Sequence, residues 1–280
     1  MIPGNSFPML QQQTLAQAAT FEGPGLHYGK SCRLTLAPAP QGYGKQFYRL
    51  DQPDQGFIPA LAEYGHQTLL STELRSGSQS VRTVEHLLAA LYAFGVDNCR
   101  IELDGPEVPI LDGSSKPYAE ALLKTGLVIQ EQPRKTIKIE TPLTVSEEDR
   151  FVAAFPDNVF RITYGIDFPV PEIGVQWFSL IVTPETFTQE IAPARTFTLL
   201  EQIEVLREKG LIQGGSLDCA LVCSKTGWVN TPQWPDEPVR HKILDLLGDL
   251  ALIGFPVVGH FVAYKAGHDL HRRMAQKLRE

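Results

Sequence analysis

An α+β fold of two similar domains, residues 1–131 and 132–280, is predicted by three observations. Strand-like alternation precedes helical periodicity in each half, a polar proline-bearing segment separates the halves, and 280 residues exceed the roughly 100–200 of one ordinary domain.

From Phe21 to about Ile101 the chain reads as short β segments, with alternation in Cys32-Arg33-Leu34-Thr35-Leu36 and breaks at Pro38, Pro40, Gly42 and Gly44. One helix interrupts them. Thr83 is placed to cap it, Val84, Leu87, Leu88, Leu91 and Tyr92 recur at helical spacing, and Gly95 ends it. Cys99 to Leu103 follows as a strand, and Ser114 or Ser115 begins a second helix that runs to about Lys124. Glu131-Gln132-Pro133-Arg134-Lys135 reads as the linker between the domains. The second half repeats the grammar: strands from Thr136 to about Val182, a helix from about Thr198 to Lys209, a strand at Asp218 to Cys223, a helix at Val239 to Leu250, a strand at Gly259 to Ala263, and a terminal helix. No internal repeat is visible at the level of residues.

An apolar fraction of 43% permits substantial cores, while a net charge of -7 and a pI near 5.6 argue against nucleic acid as a partner. A local basic pocket for a phosphorylated small molecule is compatible with that charge. Met1 to Gln13 lacks a basic segment followed by an apolar one, so it does not read as a secretory signal, and a cytoplasmic location is expected. The nearly apolar stretch Leu250 to Tyr264 contains Gly254, Pro256, Gly259 and His260 and falls short of the ~20 residues of a membrane span. It reads as helix end, turn and strand. Cys32, Cys99, Cys219 and Cys223 form no Cys-x-x-Cys pair and read as reduced, mostly buried thiols.

The chemistry concentrates in Arg240-His241-Lys242-Ile243-Leu244-Asp245-Leu246-Leu247-Gly248-Asp249. His241 and Asp245 stand at i and i+4, so a helix projects both from one face, and an imidazole with a carboxylate suits zinc. Asp249 falls one turn further along that face. Thr83-Val84-Glu85-His86 is a candidate source for a third ligand, which would leave a fourth position open to water. A lone histidine beside an apolar stripe is ordinarily structural, but Glu85 next to His86 supplies a carboxylate able to lean toward that water as a general base. No second histidine completes a His-Glu-x-x-His signature, which disfavours a standard metallopeptidase. In Ala266-Gly267-His268 the histidine can protonate a leaving amine, and Asp249 can keep it cationic through a hydrogen bond. Thr196, in Pro193-Ala194-Arg195-Thr196-Phe197, reads most economically as a helix cap; its functional alternative is a donor to a developing oxyanion.

Seven segments, in order, resemble one known family. They are Gly25-Leu26-His27-Tyr28-Gly29-Lys30, Thr83-Val84-Glu85-His86-Leu87-Leu88, Pro106-Glu107-Val108-Pro109-Ile110-Leu111-Asp112-Gly113-Ser114, Ala194-Arg195-Thr196-Phe197, Gly214-Gly215-Ser216-Leu217-Asp218-Cys219-Ala220, Val239 to Asp245, and Tyr264-Lys265-Ala266-Gly267-His268. The family is that of the UDP-3-O-acyl-N-acetylglucosamine deacetylases, zinc hydrolases of lipid A biosynthesis in Gram-negative-type bacteria, and the resemblance covers nearly the whole chain. It implies one Zn2+ per chain held by His86, His241 and Asp245, with Glu85 as base, His268 supported by Asp249 as acid or electrostatic stabiliser, and Thr196 at the oxyanion. The same ligand set would also hold iron(II) or cobalt(II). It further implies two β-α-α-β layered domains with their helices packed together and the active site at the domain interface.

The implied substrate is UDP-3-O-[(3R)-3-hydroxyacyl]-N-acetylglucosamine, cleaved to acetate and the free amine by a monomeric enzyme. By that resemblance Phe168 stacks near the nucleotide while Arg150, Lys242 and Lys265 meet the diphosphate. Arg150 stands where a lysine is frequent, keeping charge but not geometry. The insert Thr198 to Leu217 supplies an acyl passage from Leu199, Leu200, Ile203, Leu206, Leu211, Ile212 and Leu217, and Phe197, Gly215 and Ser216 complete the expected substrate contacts. Three further residues depart from the family pattern: Pro238, and Asp269 and His271, which follow His268 where small or amide residues are common. Two other readings compete: a catalytically silent nucleotide-sugar or lipid-binding module on the same scaffold, and a structural zinc clamp, which would need four protein ligands and no free carboxylate nearby.

Overall fold

Alternation in Ser31–Pro38 buries Cys32, Leu34 and Leu36 and turns Ser31, Arg33 and Pro38 to solvent, so that strand covers a core with one face only. The same rule builds two sheets, seen in a computed structural model that describes residues 11–66 and 68–280. The reading of Met1 to Gln13 as no secretory signal falls mostly on residues 1–10, which lie outside those described.

The N-terminal half runs β1 (Gln11–Leu15), β2 (Ala19–Pro24), β3 (Ser31–Pro38), β4 (Lys45–Arg49), β5 (Phe57–Pro59), β6 (Gly65–His66), β7 (Glu73–Ser76), β8 (Gln79–Arg82), α1 (Glu85–Ala93), β9 (Cys99–Leu103), α2 (Lys116–Thr125) and β10 (Leu127–Pro133). The C-terminal half runs β11 (Ile137–Lys138), β12 (Leu143–Glu147), β13 (Arg150–Phe155), β14 (Phe160–Asp167), β15 (Val175–Ile181), a single turn α3 (Pro184–Thr186), β16 (Phe197–Leu199), α4 (Leu200–Glu208), β17 (Leu221–Ser224), β18 (Gly227–Trp228), α5 (Glu237–Leu250), β19 (Val257–Tyr264) and α6 (His268–Lys277).

The main sheets have the orders β2-β3-β9-β4-β5 and β12-β13-β19-β14-β15. In each, the last strand in sequence enters the middle, antiparallel to one neighbour (β3, β13) and parallel to the other (β4, β14). The element order read from the sequence thus has a counterpart in identical strand orders, within an α+β fold.

The helices meet between these sheets. Every residue of α1 is buried, as is every residue of α5 except Lys242. Their leucine-rich faces fill the core, while the buried polar residues Glu85, His86, His241, Asp245 and Asp249 face one another within it. At Gly248 the two helices approach so closely that a Cβ would overlap the carbonyl oxygen of Glu85. One continuous apolar core runs from Leu34 and Leu36 of the first sheet through Leu87, Leu91, Leu244 and Leu247 to Ile162 and Phe261 of the second.

Each half also carries a small three-stranded sheet, β6-β7-β8 in one and β16-β17-β18 in the other. The segment from β16 to β17 is tied to the N-terminal half by Thr196 N–H to Gly113 O at 2.8 Å, Gln213 N–H to His27 O at 3.1 Å and Gly214 N–H to Leu26 O at 3.0 Å.

Several local expectations are corrected. Thr83 does not cap α1: its φ is 59°, Val84 occupies the N-cap position, and the Thr83 hydroxyl donates to the buried Glu107 carboxylate at 2.7 Å. Thr196 does not cap a helix either. With its N–H on Gly113 and its carbonyl accepting from Leu221 N–H at 2.8 Å, it leads into β16, and the helix starts only at Leu200. Glu131 to Pro133, read as linker, extends β10 in its ladder with β1. The strand read at Asp218 begins at Leu221. Leu250 to Tyr264 is helix end, turn and β19, and among the described residues no helix is long and apolar enough to cross a membrane. The four cysteines are buried free thiols.

The contact at Gly248 leads to a prediction. Gly248→Ala should lower the urea midpoint by an amount equivalent to about 1–3 kcal/mol, because a methyl there must push α1 away from α5. An unchanged midpoint would show that the helices have room to part.

Candidate metal centre

Helix α5 presents His241 and Asp245 one turn apart, and α1 presents His86 opposite them from its first turn. All three side chains are buried. His241 Nε2 lies 3.3 Å from Asp245 Oδ1 and His86 Nε2 lies 3.9 Å from the same oxygen, with ligating atoms of all three residues within 4.8 Å of one another. The imidazoles meet edge to face, centroids 4.9 Å apart.

Protonation suits this group to a cation. His241 Nδ1–H donates to Ala194 O at 3.0 Å, which leaves the Nε2 lone pair directed at the centre. Burial, reinforced by His241, depresses the His86 pKa to about 3, and burial likewise lowers that of His241. Burial opposes ionisation of Asp245, but Lys242, whose Nζ is 2.6 Å from Oδ2, and the neighbouring histidines outweigh it and hold the carboxyl well below its ordinary range. Two lone pairs and a carboxylate therefore converge on one point, an arrangement that a bound metal ion relieves.

Two further groups flank the centre. Glu85, at the start of α1, accepts Thr72 N–H at 3.0 Å on Oε2, and burial raises its carboxyl pKa to about 7 against the opposing charge of His268. His268, at the start of α6, donates Nδ1–H to Asp249 Oδ2 at 2.8 Å. Burial disfavours the imidazolium, but the charge and hydrogen bond of Asp249 prevail and lift His268 to about 9. Asp249 also accepts from His271 Nδ1 at 2.9 Å and from the Thr72 hydroxyl. His271 lies behind Asp249, fully buried, with Nε2 3.0 Å from the Tyr164 hydroxyl; His268, not His271, lines the cavity.

That cavity, of about 1030 Å³, has Glu85, His86, His241, Asp245, His268 and Thr196 on its wall. Phe197, Leu199, Leu200, Ile203, Ile212, Gly215, Ser216 and Leu217 also line it, together with the polar Thr198, Glu201, Gln202, Glu204 and Arg207 of the segment from β16 to β17. Arg150, Phe168 and Lys242 line it at another side and are shared with an adjoining cavity of about 170 Å³ that Lys265 borders. Leu206 and Leu211, expected in the acyl passage, do not line it. Leu206 is core, packed with Leu26, Ile110, Ile212 and Cys219, and Leu211 packs on that cluster. Asp249 does not line the cavity and reaches it through His268 and Thr72.

Sequence reasoning missed the loop before β7. Thr68, Leu69 and Leu70 line the cavity, Leu70 with a φ of 66°, and Thr72 reaches the two flanking groups. Their types and spacing carry no signal, since each acts through partners distant in sequence.

Comparison with known proteins follows this geometry. The family described as UDP-3-O-acyl N-acetylglycosamine deacetylase matches residues 12–280. A protein of Thermosynechococcus vestitus named UDP-3-O-acyl-N-acetylglucosamine deacetylase is 53% identical over 268 residues, 95% of this chain and 93% of its own. Proteins of the same name from Nostoc sp. and Myxococcus xanthus are 51% and 45% identical, over 96% and 95% of this chain and 98% and 86% of their own.

Asp249→Asn should move the titration of the His268 imidazole, followed by NMR, from about 9 to lower pH, because burial is then no longer opposed by the carboxylate. The sign for stability is set by the raised value: the His268–Asp249 contribution is complete below the ordinary histidine value of 6.5 and is lost as pH rises through about 9. An unmoved midpoint in the variant would separate His268 from Asp249.

Proposed function

The chain belongs to the UDP-3-O-acyl N-acetylglycosamine deacetylase family, and on that premise we propose how its own residues hydrolyse the N-acetyl group of UDP-3-O-[(3R)-3-hydroxyacyl]-N-acetylglucosamine. The activity is a deacetylation in lipid A biosynthesis, yielding acetate and UDP-3-O-acyl-glucosamine. The observation that carries the assignment of roles is the convergence of His86, His241 and Asp245 beside Glu85 on the wall of one cavity, which Leu200, Ile203, Ile212 and Leu217 as well as Arg150 and Lys242 also line.

His86, His241 and Asp245 would hold Zn2+, with iron(II) as the alternative occupant in the cell. When bound, such an ion polarises the amide carbonyl and makes water acidic enough to lose a proton near neutral pH. Glu85 takes the proton of the attacking water, a task suited to a carboxyl whose burial raises its basicity. Thr196 donates its hydroxyl to the carbonyl oxygen as negative charge develops there. His268 holds its Nδ1 proton on Asp249 and gives the Nε2 proton to the departing nitrogen as the C–N bond breaks, leaving acetate and an amine.

Binding follows from the same cavity. Phe168 offers a face to the nucleotide base, and Arg150, Lys242 and Lys265 offer charge to the diphosphate. Phe197, Leu200, Ile203, Ile212, Gly215, Ser216 and Leu217 surround the acyl chain. We further propose a monomeric cytoplasmic enzyme of two domains; the expected division between residues 131 and 132 falls inside β10, which ends at Pro133. A silent binding module is disfavoured because it has no use for a buried carboxylate beside three converging metal donors.

Acetate release from UDP-3-O-(hydroxyacyl)-N-acetylglucosamine should disappear on chelation and return with zinc; a metal-loaded protein that releases none would refute the activity. Glu85→Ala should keep its metal yet lose about 10²–10⁴-fold in turnover. The alkaline limb of kcat/KM should reflect loss of the His268 proton, which Asp249 retains up to about pH 9. His268→Ala should cost more turnover than His271→Ala, and the reverse order would transfer the acid role to His271.

A further inference from the structure

Thr72 lies at the entry to β7, buried to 3% exposure, and all three of its polar groups are engaged. Its carbonyl accepts Thr83 N–H at 2.9 Å, which ties it to the residue that introduces the Val84-Glu85-His86 turn. Its N–H donates to Glu85 Oε2 at 3.0 Å. Its hydroxyl lies against Asp249 Oδ1 and 3.1 Å from His268 Nδ1. Asp249 is held in its ionised form by His268 and His271 despite its burial, so it can only accept, and the single hydroxyl proton goes to Oδ1. The Thr72 oxygen then faces His268 Nδ1–H, whose main acceptor is Asp249 Oδ2 at 2.8 Å. One residue thus touches Glu85 on α1 and, across the meeting of the two halves, Asp249 on α5 and His268 on α6.

Resting on the reading of Glu85 as base and His268 as acid, we propose that Thr72 is a positioning residue that couples the two: its N–H aims the base while its hydroxyl locks Asp249 and His268. The two functions reside in different atoms, so they separate chemically. Thr72→Val preserves the shape and the N–H to Glu85 but leaves Asp249 Oδ1 without its donor and His268 without the oxygen beside Nδ1. Thr72→Ser retains the hydroxyl and omits only the methyl.

The consequence is kinetic. A small misplacement of an acid lowers the rate of bond breaking without weakening substrate binding. In Thr72→Val, kcat should fall about 10–100-fold with KM changed less than about twofold, and Thr72→Ser should recover most of the loss. The zinc content of both variants should equal that of the unsubstituted protein, since Thr72 contacts none of His86, His241 and Asp245 through its side chain.

A second readout does not depend on activity. In 15N-labelled metal-free protein, the His268 Nδ1–H resonance should be protected from exchange with solvent in the unsubstituted chain and in Thr72→Ser, and should exchange faster in Thr72→Val. Unchanged kcat and unchanged exchange in Thr72→Val would overturn the proposal. Equal losses in Val and Ser would also overturn it, because the methyl packing, not the hydroxyl, would then be what matters. Should Thr72→Val not fold, Thr72→Ala against Thr72→Ser makes the same comparison with the hydroxyl alone restored. Absence of acetate release from the unsubstituted enzyme would instead refute the assigned activity, while the exchange comparison would still decide whether Thr72 holds His268.

Discussion

The close packing of α1 on α5 at Gly248 is the constraint on which the site depends. Only a residue without a side chain lets the α5 backbone approach the Glu85 carbonyl. That approach sets Glu85 and His86 opposite His241 and Asp245, which no element could present alone. The two helices also join the sheets through a single apolar core, so the geometry of the metal donors is held by the packing of Leu87, Leu91, Leu244 and Leu247. Rigid helices hold such groups more accurately than loops do.

Gathering three carboxylates in one buried region is costly unless each finds its own compensation. Asp245 is compensated by Lys242 and the imidazoles. Asp249 is surrounded by two imidazoles and a hydroxyl. Glu85 accepts the Thr72 N–H, and burial, opposed by the charge of His268, raises its affinity for a proton. Unequal compensation thus separates the roles: one carboxylate fit to bind a cation, one to hold an imidazolium, one to accept a proton.

Helix-borne chemistry was legible in the sequence because its period is local. His241, Asp245 and Asp249 recur every fourth residue, so helical geometry alone aligns them, and Glu85-His86 opens an apolar helical stripe that marks its own boundaries. The strands were legible as alternation, with errors of a few residues where the ladder partner sets the ends, as at β10 and β17. Thr83 and Thr196 were misread as caps because a hydroxyl before a helix has the same local signature whether it serves the helix or, as Thr83 does, a distant carboxylate. Leu206 was misread as a passage residue because an amphipathic helix does not say in which direction its apolar face looks, and Leu211, beyond the end of α4, packs on the same cluster.

The sequence by itself determined the fold class, the broad order of elements and the shared helix face of the candidate donors His241 and Asp245 on α5, since propensity, period and the i, i+4 relation act over neighbouring residues. Tertiary structure alone decided that His86 joins those donors, that His268 rather than His271 faces the cavity, and that Thr72 meets Asp249 from 177 residues away. These juxtapositions depend on how two sheets close on a pair of helices. Packing brings together residues whose separation in sequence carries no information about their distance in space.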